Sequence, residues 1–173
     1  MQHPLAKLAQ EAILAYVIKG ETIAPPSWIP SQYLNERAGT FVTIKKNDEL
    51  RGCIGTYLPT RDNVALEVIA NAISAATDDP RFEPLIKSDL ANLFYEIYIL
   101  EKPAPVRSLD ELDPKEFGVI VSGAQSHRSA LLLPGLEGID TVEQQLGCVT
   151  QKAGIDPAKE KLVIQKFRAK KFD

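Results

Sequence analysis

Cysteine and histidine are scarce in this chain. Its 173 residues include two cysteines, Cys53 and Cys148, and two histidines, His3 and His127. Two distant cysteines make neither a disulfide framework nor the paired spacing of a metal site. A metal centre needs three or four ligands, so none is expected. An excess of positive charge is missing too. Lys and Arg number 20 against 23 Asp and Glu, for a net charge of -3, whereas a nucleic-acid binder is expected to carry a basic balance or face. No apolar run approaches the ~18 residues of a membrane span, and the opening residues lack a signal-peptide layout. The expectation is an intracellular, reduced, cytoplasmic protein with no membrane contact. The phosphate-binding P-loop, the dinucleotide fingerprint, the Gly-x-Ser-x-Gly elbow and His-Glu-x-x-His are absent as well. So are repeats, linkers and low-complexity tracts.

What is present is ordinary globular material, with 45% hydrophobic and 25% charged residues. The length suits one domain, 1–173, with a good core. Leu5, Leu8, Ala12, Ile13, Tyr16 and Val17 fall on one helical stripe between Pro4 and Gly20. Pro25, Pro26 and Pro30 make the next stretch a loop, pinned to the core by Trp28 and Ile29. Residues 40–46 and the Arg51–Cys53 region form a hairpin around Asn47-Asp48. Thr60 or Asp62 is placed to cap a helix that runs to Thr77, apolar on nearly every side and therefore buried. Its positive end is expected near the preceding strand, where it favours an anion. A strand over 93–100, a capped turn at Ser108, a hairpin around 123–126, a helix over 141–153 and a strand over 161–167 complete the chain. Helices between groups of hairpins favour an α+β fold with a mainly antiparallel sheet.

The unusual stretch is Glu49-Leu50-Arg51-Gly52-Cys53-Ile54-Gly55-Thr56. Glycine weakens a strand, so two of them ask for a bulge or for close approach of another backbone or a ligand. Alternation puts Arg51, Cys53 and Gly55 on one face. A cation, a thiol and bare backbone suit a small polar or anionic ligand. Arg51 can hold an anion by paired hydrogen bonds, and a nearby cation can activate the Cys53 thiol as a nucleophile. Asp79 and Arg81 flank Pro80 in a stiff loop and are candidates for a second wall of the site, against the plain alternative of an internally paired Asp-Pro turn. His127 reads as a hairpin-turn residue, His3 as part of a frayed terminus and Cys148 as structural. The basic C-terminus (Lys159, Lys161, Lys166, Arg168, Lys170, Lys171) offers RNA a surface, but it fits a solvated edge strand better.

The run Leu50-Arg51-Gly52-Cys53-Ile54-Gly55 resembles the hallmark of the AMMECR-one domain family. The likeness extends through Arg37-Ala38-Gly39, Asn71-Ala72-Ile73, Asp79-Pro80-Arg81-Phe82, Leu131-Leu132-Leu133-Pro134, Leu136-Glu137-Gly138 and Lys152-Ala153-Gly154. It covers nearly the whole chain and is closest in character to the bacterial branch. Gly135 stands where relatives commonly carry an acid or amide, and neither His127 nor Cys148 belongs to the pattern.

The resemblance implies a compact α+β fold with an antiparallel, partly barrel-like sheet, three to four helices and a cleft faced by the hallmark segment. It further implies kinship with protein A of the AmmeMemoRadiSam system. There the partners are a Memo-type protein, related in fold to extradiol dioxygenases, and a radical SAM enzyme. No cofactor is legible. The expected function is a cleft that binds or acts on a small polar or anionic molecule. The alternatives are a non-catalytic adaptor module or a nucleotide- or RNA-binding protein.

Overall fold

The computed structural model describes residues 2–173. It divides into two compact units, one running to Leu100 and including Lys170–Asp173, the other spanning Glu101–Ala169. Each unit has a four-stranded antiparallel sheet, and neither sheet closes into a barrel.

In the first unit, α1 (Pro4–Lys19) starts on a side chain: the Leu5 N–H donates to His3 Nδ1 at 3.2 Å. The imidazole also stacks on Phe172 at 4.4 Å, so His3 is a built helix cap and not a frayed end. Gly20 ends the helix in the left-handed region, at φ 71°. Ile29 of the proline-rich loop is buried, whereas Trp28 is exposed beneath the Lys7 ammonium. A short helix, α2 (Gln32–Asn35), closes that loop.

β1 (Gly39–Lys46) and β2 (Glu49–Thr56) pair across a turn in which Asn47 and Asp48 both have positive φ, the geometry that matches strand twist in a tight hairpin. The helix α3 (Val64–Thr77) is capped by Asn63, whose Oδ1 accepts from the Leu66 N–H at 2.9 Å, and not by Thr60 or Asp62. β3 (Leu93–Leu100) lies beside β1, and β8 (Ala169–Phe172) lies beside β3 to complete the order β2-β1-β3-β8. The helices α1 and α3 bury Leu5, Leu8, Val64 and Val68 against Val42, Ile44 and Ile97 of the sheet.

The second unit pairs β4 (Ala104–Pro105), β7 (Leu162–Phe167), β5 (Gly118–Gly123) and β6 (Ser129–Leu132) in that order. The helix α4 (Val142–Ala153) has a Thr141/Gln144 capping box and a Gly154 stop. It packs Val149 against Val119, Val121 and Leu132. Among the described residues, no helix is long and apolar enough to cross a membrane.

Candidate functional site

The hallmark stretch forms β2, which stands at one edge of the first sheet. Its register with β1 shifts at Ile44/Lys45: Ile44 faces Gly52, Lys45 faces Leu50, and Arg51 between them has no partner on β1. Such a bulge interrupts the alternation of side chains. Arg51 therefore does not simply join Cys53 and Gly55 on one face. Its Nη2 donates to the Glu83 carbonyl at 2.8 Å and lies 3.8 Å from Asp89, with the guanidinium 5.8 Å from the Phe82 ring. Arg51 thus fastens the loop after α3 to the hairpin.

The chain's own atoms occupy the room left by both glycines. A Cβ at Gly52 would stand 2.2 Å from the Ala75 carbonyl oxygen of α3, and one at Gly55 would stand 2.3 Å from the Phe41 ring. The helix end that meets Gly52 is the C-terminal turn, so the expected anion-favouring N-terminus is at the other end of α3. Thr56 approaches that other end, where it donates to Glu67.

Cross-strand pairing builds a coherent face around Cys53. Cys53, Thr43 and Glu96 form one row across β2, β1 and β3, and Gly55, Phe41 and Tyr98 form the next. The Cys53 thiol and Thr43 hydroxyl share a hydrogen bond at 3.3 Å. Lys45 and Lys171 both donate to Glu96 Oε1, at 2.9 and 2.6 Å, and the Tyr98 hydroxyl donates to its Oε2 at 3.4 Å. Burial pushes Glu96 upward, yet the two lysines outweigh it and hold the carboxyl below its ordinary value. Burial, with added repulsion from Glu96 and Cys53, pushes Tyr98 up to about 12.

Asp79 and Arg81 close the edge. As an edge strand, β2 has backbone groups without a strand partner. The Cys53 N–H donates to Asp79 Oδ2 at 2.8 Å, and Arg81 Nη2 reaches the Cys53 carbonyl at 3.5 Å. The two side chains are themselves locked together. Arg81 Nε donates to Asp79 Oδ1 at 2.9 Å and Nη2 to Oδ2 at 2.7 Å. The Arg81 guanidinium holds the Asp79 carboxyl far below the carboxylate range despite its burial, and the Cys53 N–H adds to the effect. Arg81 is accordingly the guanidinium that reaches the Cys53 backbone, while Arg51 is bound to the Glu83 carbonyl. The Arg81 side chain is 55% exposed, and its Nη1 makes no hydrogen bond to any described residue.

Thr43, Glu96 and Tyr98 escaped the sequence reading. Alternation along residues 93–100 does put Phe94, Glu96 and Tyr98 together, but only the central position of β1 sets them beside Cys53. Elsewhere, His127 sits at φ 56° in its hairpin turn, and Cys148 is exposed on α4, not packed as structure. The basic C-terminus is largely paired: Lys166 with Glu111, Arg168 with Glu116, Lys171 with Glu96 and Lys159 with Asp156.

An AMMECR1 family model matches residues 6–172. A protein of Thermotoga maritima is 46% identical over 172 residues, covering 99% of this chain and 98% of its own length. Protein CA_C1420 of Clostridium acetobutylicum is 42% identical over 165 residues, covering 95% of this chain but only 34% of that protein. The crystal structure of protein PH0010 from Pyrococcus horikoshii superposes with a TM-score of 0.87 at 32% identity, over 96% of this chain and 88% of that one.

Proposed function

The chain belongs to the AMMECR1 family, and from that premise we propose that its Cys53 face binds a small polar or anionic molecule. Arg81 takes the anion and the Cys53 thiol, the nucleophile of the site, stands beside it. One observation carries this reading: the buried Asp79 fixes the Arg81 guanidinium at the Cys53 carbonyl, beside the Phe82 ring, while Nη1 makes no hydrogen bond to a described residue. A planar guanidinium held in place loses little freedom on meeting a carboxylate or phosphate. Asp79 positions the cation, and Arg51, Gly52 and Gly55 shape the strand and loop behind it.

Iodoacetamide labelling of Cys53 in a Cys148→Ser background tests the proposal. Inorganic phosphate or malonate, bound at Arg81, slows labelling in the parent and does not in Arg81→Gln. Labelling indifferent to every anion in both proteins would end it.

The length of the Clostridium relative supports a second reading, a docking module. In that protein the matching region is joined to about twice as much further polypeptide, since it fills 34% of the length. A Memo-type protein and a radical SAM enzyme are the partners in this reading. Leu50 and Phe94 are exposed and flank Lys45 on the two neighbouring strands, which sets two apolar side chains at the hairpin end for a partner to cover. Capture of either partner that survives Arg81→Gln and is lost with Leu50→Asp and Phe94→Asp separates docking from ligand binding.

A further inference from the structure

We propose that the first unit carries a second small-molecule site, on its helical side, for an organic anion with an apolar body. A cavity of about 670 Å³ opens between the C-terminal half of α1, the loop after it and the outer side of α3. That volume is within the usual range for ligand pockets, ~300–1,000 Å³. Ile23, Leu66, Ile69 and Ile73 make an apolar floor, with Tyr16 on one wall. Leu66 and Ile73 are only half-buried because they line this cavity, Ile73 packing on the core at the same time.

The rim is polar and held rigidly. Thr60, Arg61 and Asp62 border the cavity. Behind them the buried carboxylate of Glu67 accepts from the Thr60 N–H and hydroxyl at 2.8 Å each, from the Arg61 N–H at 2.7 Å and from the Thr56 hydroxyl at 2.6 Å. Burial pushes Glu67 upward, but these donors together hold it charged, below its ordinary value. Arg37 Nε adds a bond to the Arg61 carbonyl at 3.2 Å. A buried charge placed behind a surface loop fixes the backbone that carries its side chains.

The group this backbone carries is the Arg61 guanidinium. In this unit Arg37, Arg51 and Arg81 each donate to a carbonyl or carboxylate. Arg61 alone among these arginines makes no side-chain hydrogen bond or ion pair with a described residue. An unpaired guanidinium at the border of an apolar cavity suits a carboxylate attached to an aryl or alkyl body. Asp62, on the same rim, disfavours a second negative charge and favours a ligand with a donor beside its carboxylate. The chemistry is therefore monoanionic and amphipathic. The site is separate from the Cys53 face, because α3 packs on the opposite side of the sheet from the Cys53–Thr43–Glu96 row.

The test is a set of amide NMR titrations with phenylbutyrate, with the uncharged phenylbutanol and with inorganic phosphate. The expected result is shifts at Ile23, Arg61, Ile69 and Ile73 with phenylbutyrate, about tenfold weaker binding of the alcohol, and no pocket shifts with phosphate. Arg61→Gln brings phenylbutyrate down to the alcohol's affinity, and Arg61→Lys recovers part of the difference. The Arg61 side chain holds nothing else in place, so both variants keep the parent's amide spectrum away from the rim. Phenylbutyrate that leaves the four amides unmoved overturns the proposal. So does binding that Arg61→Gln leaves unchanged, or phosphate binding as tight as that of phenylbutyrate.

Discussion

Replacing Gly52 by alanine separates two reasons for a glycine in the hallmark strand. The added Cβ would fall 2.2 Å from the Ala75 carbonyl oxygen and 3.2 Å from its carbon. Both are backbone atoms in the last turns of a buried helix, so neither can swing aside as a side chain would. Relief requires α3 to move off β2, where it covers Ile44 and the core. Overpacking of this kind costs ~1–3 kcal/mol, and a backbone obstacle puts Gly52→Ala at the upper end, about 3 kcal/mol. Urea unfolding measures it as a lower midpoint with an unchanged slope. Gly147→Ala is the internal control. A Cβ there meets nothing within 4 Å, and the residue is exposed inside α4, so the change stabilises by roughly 0.5–1 kcal/mol. A Gly52→Ala protein as stable as the parent, defective only in ligand binding, would refute the packing argument and return this glycine to the ligand.

Other substitutions follow from the same contacts. Asp79→Asn leaves Arg81 and the Cys53 N–H without their charged acceptor and costs about 2 kcal/mol in urea unfolding, discounted because Arg81 is half-exposed. Because the folded Asp79 carboxyl titrates below its ordinary range, its contribution is present above about pH 4 and is lost as the pH falls below that. Stability measured down the acid limb is flatter in Asp79→Asn than in the parent. Glu67→Gln turns an amide donor toward the Thr60 and Arg61 N–H groups and costs ~1–3 kcal/mol, with raised hydrogen exchange confined at first to residues 56–62. His3 is held neutral by burial and by Lys170, with Asp173 opposing, so its pKa lies below 6.5. The cap it gives α1 is intact above that pH and is lost as the pH falls through the lowered value, whereas His3→Asn keeps the cap and loses the pH dependence.

The periodic parts of this fold were plain in the chain. The stripe from Leu5 to Val17 and the alternation along residues 93–100 each reflect a single local rule, and α1 and β3 formed accordingly. The Thr141/Gln144 box and Gly154 likewise set the ends of α4. The misses came from contacts between distant residues. Asn63 caps α3, while the Thr60 hydroxyl is engaged by the Glu67 carboxylate, a partner within the helix it was expected to cap. β8 has no alternating pattern of its own and exists by pairing with β3. The site was half legible. The spacing of Arg51, Gly52, Cys53 and Gly55 marks the strand, and the Asp79-Pro80-Arg81 turn, legible as a stiff loop, lies against its edge. The bulge at Arg51 could not be foreseen, because register is a property of two strands. At this bulge Arg51 turns to the Glu83 carbonyl, and Arg81 is the guanidinium that reaches the Cys53 carbonyl.

Charge discrimination at Cys53 is the measurement to make first. In the folded Cys148→Ser protein, alkylation rates with iodoacetate and iodoacetamide are compared, and the pair is repeated in Arg81→Gln and Arg51→Gln. An anion-binding face steered by Arg81 gives a ratio of anionic to neutral reagent that falls about tenfold in Arg81→Gln and much less in Arg51→Gln. Equal ratios in all three proteins, or labelling that begins only on unfolding, would contradict an anion site at this cysteine.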